Sequence, residues 1–273
     1  MPGLVRLLYA LQTSYSMPVV RPLILIPSYN TGPILFQTIV GILAFKTPVW
    51  VVIDGSNDSS EKSLEAIENE NFKIIFMEKN EGKGAAVLRG LREAIANGFS
   101  HVLTIDADGQ HPADSIPAFL NLSSAHPGAA IFGRPIFDSS APALRVGGRK
   151  ISNFWANLET LGWGVEDSLF GMRLYPAGDL LAVFESTSYA RRFDFDPEVA
   201  VRLAWRQVPI LNLPTPVLYP SKEQGGISQF RYVRDNLLLT GMHIRLMLEF
   251  FVRFPWLLFR EDNPLEAYNP PSR

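Results

Sequence analysis

Two hydropathy periods alternate along the first half of the chain. Short runs rich in β-branched and other apolar residues fall at 23–27 (LILIP), 49–53 (VWVVI), 73–77 (KIIFM), 101–105 (HVLTI) and 129–133 (AAIFG). Runs this short and continuously apolar suit strands covered on both faces. Between them, residues 33–45, 60–70, 84–97 and 112–124 repeat their apolar positions at helical spacing. The alternation predicts βαβ units with right-handed crossovers and a mostly parallel sheet flanked by helices, an α/β fold. Ser59 or Ser60 is placed to cap the second helix, Gly98 to stop the third and Pro112 to open the fourth.

After about residue 135 the alternation fades. Residues 138–148, rich in Ser, Ala, Pro and Gly, read as a loop; 151–161 and 197–207 read as helical; 208–218 is extended and punctuated by proline. Residues 236–259 (NLLLTGMHIRLMLEFFVRFPWLLF) are apolar, yet Arg245, Glu249 and Arg253 recur four apart and share one helical face. Such a stripe argues against a spanning helix. It suits a helix lying in a membrane interface, with Arg245 and Arg253 toward the headgroups and Phe250, Phe251, Phe254 and Trp256 near the acyl boundary. A core helix or a dimer surface is the alternative. The expected organisation is an extension at 1–22, one domain at 23–235, an amphipathic helical segment at 236–260 and a disordered tail at 261–273.

Composition narrows the function classes. The chain has 273 residues, enough for a sizeable core, and 47% are hydrophobic, which excludes a disordered chain. A formal net charge of -2 offers no basic field for nucleic acid. With no cysteine, a disulfide scaffold, an iron–sulfur cluster, a thiolate zinc site and a cysteine nucleophile all drop out. Only four histidines are present, so a metal would sit on carboxylates, which favours Mg²⁺ or Mn²⁺. The first residues show no signal-peptide cleavage pattern, and Met17 offers a second start.

In an open parallel sheet, ligands bind beyond the carboxyl ends of the strands. The expected strands end in Pro27-Ser28-Tyr29-Asn30, in Asp54-Gly55-Ser56-Asn57-Asp58, in Asp106-Ala107-Asp108-Gly109-Gln110-His111 and in Gly133-Arg134. Asp106 and Asp108, one residue apart past a strand, can share a divalent cation that bridges to phosphate oxygens. Beside Gln110 and His111, this reading is preferred to an ordinary acidic loop. Asp54 can accept hydrogen bonds from a nucleobase or ribose, or hold its own turn. Lys83 lies in Asn80-Glu81-Gly82-Lys83-Gly84 at a helix start, where anions are favoured, although a solvated turn fits nearly as well. Arg134 and Arg149 are candidate phosphate ligands, with Arg145 and Lys150 behind them. Asp167, or one of Glu166, Asp194, Asp196 and Glu198, could serve as a general base or merely cap a helix.

Taken together and in order, PSYN at 27–30, VVIDGSNDSS at 51–60, NEGKGAA at 80–86 and DADGQHP at 106–112 resemble glycosyltransferase family 2. Within that family, DADGQHP is similar to the dolichyl-phosphate mannose synthases and their bacterial relatives. Further matches are Gly133-Arg134, Arg149, Asp167 with Gly171-Met172-Arg173, Phe193 to Asp196, and Gly226-Ile227-Ser228. Where the family often has Asp, Glu and Ser, this chain has Ile53, Thr31 and Phe170.

The resemblance implies a GT-A fold, a nucleotide diphosphate sugar donor and an inverting transfer. It implies that Pro27 and Tyr29 pack on the base, and that Asp54 contacts the nucleoside. Asp106, Asp108 and Gln110 would hold metal and diphosphate, while Arg134 and Arg149 would lie near the transferred group and an acceptor phosphate. Ser228 would close a late loop on the diphosphate, with Arg231 supplying the charge that the family carries beside it. The expected acceptor is a lipid or polyprenyl phosphate, or else a hydroxyl for which Asp167 would be the base. The expected location is cytoplasmic, peripheral on the inner face of the cytoplasmic membrane. A nucleotidyltransferase would want a Gly-rich basic loop where PSYNTG stands, and a non-catalytic nucleotide- or lipid-binding protein would not need the Asp106/Asp108 pair.

Overall fold

A computed structural model describes residues 19–137, 143–218 and 232–265. Seven strands form one sheet: β1 (Pro22–Ser28), β2 (Val49–Asp54), β3 (Phe72–Met77), β4 (His101–Thr104), β5 (Ala130–Ile136), β6 (Arg173–Pro176) and β7 (Ile210–Pro216), in the order β3-β2-β1-β4-β6-β5-β7. β1, β2, β3 and β4 are mutually parallel. β6 runs antiparallel to both neighbours, β4 and β5, and β7 pairs with β5 in parallel.

The helices are α1 (Ile34–Leu43), α2 (Lys83–Ala96), α3 (Ile116–Ala125), α4 (Ala143–Thr160), α5 (Ala177–Glu185), α6 (Phe195–Trp205) and α7 (Tyr232–Leu257). The run LILI of β1 shows why the sheet needs both layers. Side chains alternate along a strand, so Leu23 and Leu25 enter one core and Ile24 and Ile26 the other. The first core holds Leu91 of α2, Leu180 of α5, Val199 of α6 and Met242 of α7. The second holds Leu35 and Ile39 of α1 and Phe119 of α3. Ile53, where the family often has an acid, is buried in this second core.

Several expected elements differ. The helix at 60–70 shrinks to one 3₁₀ turn, Ser60–Leu64, because beyond Leu64 only Ile67 contributes a packed apolar side chain before β3. The expected loop at 138–148 is helical from Ala143, since α4 is held by packing on α6 and α7 despite Gly147 and Gly148. β6 escapes the hydropathy pattern: it is a four-residue RLYP wedge. β7 tolerates Pro214 and Pro216 because it is an edge strand, paired only with β5. The polar tail begins later than 261. Asn263 is buried, and its amide donates to the carbonyls of Ile210 (2.9 Å) and Trp163 (3.3 Å).

The α7 segment was expected to turn its charged stripe toward headgroups, and it does the reverse. Arg245 pairs with Glu198 at 2.6 Å and lies 3.7 Å from the centre of the Tyr189 ring. Arg202 pairs with Glu198 at 2.9 Å and with Glu249 at 2.7 Å. The four charged side chains link α7 to α6, where leaving any one of them buried without its partner would be costly. Arg253 lies over Trp205, and Phe250 is buried. Much of what α7 presents outward is apolar: Leu237, Ile244, Leu248, Phe251, Val252 and Trp256 are exposed, alongside Arg234, Asn236, Thr240 and Arg253. No helix among the described residues is long and apolar enough to cross a membrane.

Candidate active site

The ends of β1, β2 and β4 and the start of α2 open on one cavity of about 1310 Å³, whose far wall is α4 and α7. Pro27, Tyr29, Asp54, Lys83, Asp106, Asp108, Gln110 and Arg149 all line it, so eight of the sequence-derived candidates converge. Arg134 does not reach it. Its guanidinium turns to Glu166 at 3.2 Å, both side chains being half-exposed. Ser228 and Arg231 lie outside the described residues.

Asp54 is buried at the end of β2. Its two oxygens accept from the backbone N–H groups of Glu81 and Gly82, each at 2.8 Å. The carboxylate thus shapes the loop that precedes α2 while one edge still faces the cavity. Gly82 has φ of 107°, and a Cβ there would meet the Arg191 carbonyl at 2.6 Å, so glycine is required where the loop touches the 186–194 segment. Across the cavity floor, the Ser28 and Thr31 hydroxyls bond at 2.8 Å. Thr31 therefore replaces the family's acid with a neutral partner.

Lys83 is neither a solvated turn residue nor free. Its ammonium lies 2.6 Å from Asp106 Oδ1 and 2.6 Å from Asp196 Oδ2. Burial disfavours the charged lysine, but these two carboxylates overcome it and raise its pKa. Burial also opposes ionisation of Asp106, yet Lys83 and His111 hold its carboxyl well below the usual range. His111 Nε2 stands 3.3 Å from Asp106 Oδ2, and the imidazole packs edge-on against Phe170, with ring centres 4.6 Å apart. Gly171 permits this crowding, since a Cβ there would fall 2.1 Å from Asp106 Oδ2. Asp196 is buried inside α6, so its alternative reading as a helix cap does not hold; Asp194 takes the position before the helix.

The acidic group remains short of positive charge. Burial and the neighbouring Asp106 both push the Asp108 carboxyl up, and burial raises Asp196. Asp196 Oδ1 is buried without a hydrogen-bond partner. Among the described residues, no cluster of three or more His, Cys, Asp or Glu side chains forms a ready metal cage. The donor set facing the cavity is nonetheless hard oxygen, from Asp106, Asp108 and the Gln110 amide, which fits Mg²⁺ or Mn²⁺ with part of the shell left to phosphate and water.

At the α4 side, Arg149 donates to Asp167 Oδ1 at 2.6 Å and lies 5.6 Å from the Phe137 ring centre. Asp167 is buried, does not line the cavity, and also accepts from the Leu169 N–H at 2.9 Å. Its geometry is that of a counter-ion that aims Arg149. The fully buried Arg173 fixes both halves of the site by donating to the backbone carbonyls of Asp196 (2.6 Å) and Asp167 (3.0 Å). The motif reading missed Arg192, Trp155, Ile244 and Leu248, which also line the cavity. The four-residue spacing of Ile244 and Leu248 on α7 was the signal available for two of them.

Comparison with known proteins agrees with this geometry. The family model described as "Glycosyl transferase family 2" matches residues 23–178. An uncharacterized protein of Methanocaldococcus jannaschii is 30% identical over 140 residues, half of this chain and 59% of that protein, so this match spans little more than half of the relative. The polyprenol monophosphomannose synthase of Mycolicibacterium smegmatis is 26% identical over 223 residues, covering 76% of this chain and 80% of that one. The crystal structure of S. aureus TarS residues 1–349 in complex with UDP-GlcNAc superposes with a TM-score of 0.55 at 16% identity, covering 84% of this chain and 67% of that one. The fold is therefore GT-A, as the family resemblance implied, and the chain belongs to glycosyltransferase family 2.

Proposed function

We propose that the protein transfers a glycosyl group from a nucleoside diphosphate sugar to the phosphate of a polyprenyl lipid while seated on a membrane surface. One observation carries this reading. A single cavity runs from the carboxylates past Arg149 to an apolar wall of Trp155, Ile244 and Leu248, and that wall continues into the exposed outer face of α7. A polar head and an apolar tail thus have adjoining places. The relative named a polyprenol monophosphomannose synthase supports the acceptor class, and the UDP-GlcNAc bound by TarS supports the donor class.

In this reading Pro27, Tyr29 and Asp54 form the nucleoside end. Asp106, Asp108 and Gln110 would hold a divalent cation, which when bound would neutralise charge on the departing diphosphate. Arg149 would orient the acceptor phosphate by paired hydrogen bonds. A phosphate oxygen attacks the anomeric carbon as the bond to the diphosphate breaks on the opposite face, inverting the centre. The attacking oxygen carries no proton to remove, so the reaction asks for no general base, in keeping with Asp167 serving as the partner of Arg149. Residues 254–259, with Trp256, Leu258 and Phe259 exposed, would enter the interface together with Ile151 and Phe154 of α4. The test is incubation with labelled UDP- and GDP-sugars, Mn²⁺ and polyprenyl phosphate in vesicles. Label in the lipid phase is expected; label found only as free sugar would overturn the reading.

A further inference from the structure

A chain of buried and half-buried polar side chains runs from Asp167 into the α4–α7 contact, where its Ser152 and His243 also line the cavity, and the transfer chemistry does not use it. Asn153 Nδ2 approaches Asp167 Oδ2 at 3.4 Å. Asn153 Oδ1 accepts from both the backbone N–H and the hydroxyl of Ser168, each at 2.8 Å. Ser168 Oγ lies 3.0 Å from Ser152 Oγ, and Ser152 Oγ lies 3.1 Å from His243 Nε2. His243 Nδ1 faces Glu159 Oε1 at 2.9 Å, and Glu159 is wholly buried.

The direction of these bonds follows from counting protons. The backbone N–H of Ser168 fixes which Asn153 atom is the oxygen, so the Ser168 hydroxyl proton is committed to it. Ser168 Oγ must then accept from Ser152, and Ser152 must accept from His243 Nε2–H. A further proton has to lie between His243 Nδ1 and Glu159, so the pair as a whole is neutral, which suits its burial. Burial raises the Glu159 carboxyl in the same direction.

Ser152, His243 and Glu159 stand in the order of a nucleophile triad, but the chemistry does not follow. Ser152 sits inside α4, its proton goes to Ser168 rather than His243, and a helix interior offers no spare N–H groups for an oxyanion. We propose that His243, anchored by Glu159, is a positioning residue: through Ser152, Ser168 and Asn153 it orients Asp167, and thereby Arg149, so that the seating of α7 is coupled to the acceptor end of the cavity. This inference rests on the transferase reading, and its first test does not need turnover.

The protein has four histidines, so the His243 ring signals can be assigned by nitrogen–proton NMR against His243→Gln. Asp167→Asn should shift the His243 ring resonances while leaving those of His126 in place, and Ser152→Ala should abolish that response. Unmoved His243 signals in Asp167→Asn would overturn the proposal even if transfer proceeds. The second test uses the transfer assay. Ser168→Ala should lower kcat about ten- to a hundredfold with the donor KM unchanged. The pair Ser152→Ala with His243→Gln should lose no more than His243→Gln alone, because one chain is broken once. Additive losses, or a fall in thermal stability that accounts for the whole effect, would reduce the chain to packing. If His243→Gln does not fold, Ser152→Ala and Ser168→Ala carry the same comparison.

Discussion

The two ends of the cavity are built by different means. The polar end comes from loops that directly follow β1, β2 and β4, and each contributes residues close together in sequence, such as Asp106, Asp108 and Gln110. The apolar end comes from the faces of α4 and α7, held by pairs far apart in the chain: His243–Glu159 joins α7 to α4, and Arg245–Glu198 joins α7 to α6. Strand-end loops can gather charge because the sheet edge holds them in place. Helix faces can instead form a broad apolar wall, provided their charged residues turn inward to partners. The first end suits a polar diphosphate and the second a hydrocarbon tail.

The strongest way to break this contrast is at its polar end. Asp108→Asn should reduce transfer by at least about a hundredfold, and EDTA should do the same reversibly. Unimpaired turnover in EDTA would remove the metal from the account. Next comes Lys83→Met, which would leave the buried Asp196 and the partly buried Asp106 and Asp108 as an acidic group without its cation. A stability loss of about 3–5 kcal/mol is expected in chemical denaturation. Mn²⁺ should restore more stability to this variant than it adds to wild type, and an equal effect on both would place the ion elsewhere.

The apolar end has its own test. Phe251→Glu together with Trp256→Glu changes two exposed side chains of α7 and should leave folding intact while abolishing flotation with anionic liposomes. Flotation equal to wild type would mean that α7 does not face the membrane. The smallest effect belongs to the donor-side latch at Asp58, which accepts from Gly32 N–H at 2.9 Å and from the Ser60 hydroxyl at 2.8 Å. Burial opposes its ionisation, but these bonds together hold its pKa below the usual value. A carboxylate with a lowered folded pKa adds stability above its unfolded pKa of about 4 and loses that contribution as pH falls. Asp58→Asn should therefore cost less than about 1 kcal/mol at pH 7, and a smaller amount at pH ~3. Parallel melting curves at the two pH values check the sign.

The same contrast explains what could be read without coordinates. The convergence at the polar end was legible because it is local: a strand, then carboxylates one residue apart, then a helix. Asp54, Asp106 and Asp108 needed only the rule about strand ends. Lys83 was located, but not its bonds, because its partner Asp196 lies 113 residues later. Arg134 was misplaced because its side chain pairs with Glu166, a residue on a distant loop, instead of entering the cavity. At the acceptor end the spacing of Arg245, Glu249 and Arg253 revealed a charged face but not which way it turned. That orientation depends on Glu198 and Arg202 of α6, a partner helix that the hydropathy of α7 alone could not indicate.

The central claim is that the acceptor group is a lipid phosphate oriented by Arg149. It is tested most directly by offering polyprenyl phosphate and the corresponding free polyprenol to the same enzyme, with the same nucleotide-sugar donor, and measuring the glycosylated lipid formed. The account predicts product from the phosphate alone, and a loss of about a hundredfold or more in kcat/KM for that acceptor in Arg149→Met. Equal product from the alcohol, or full activity in Arg149→Met, would contradict it.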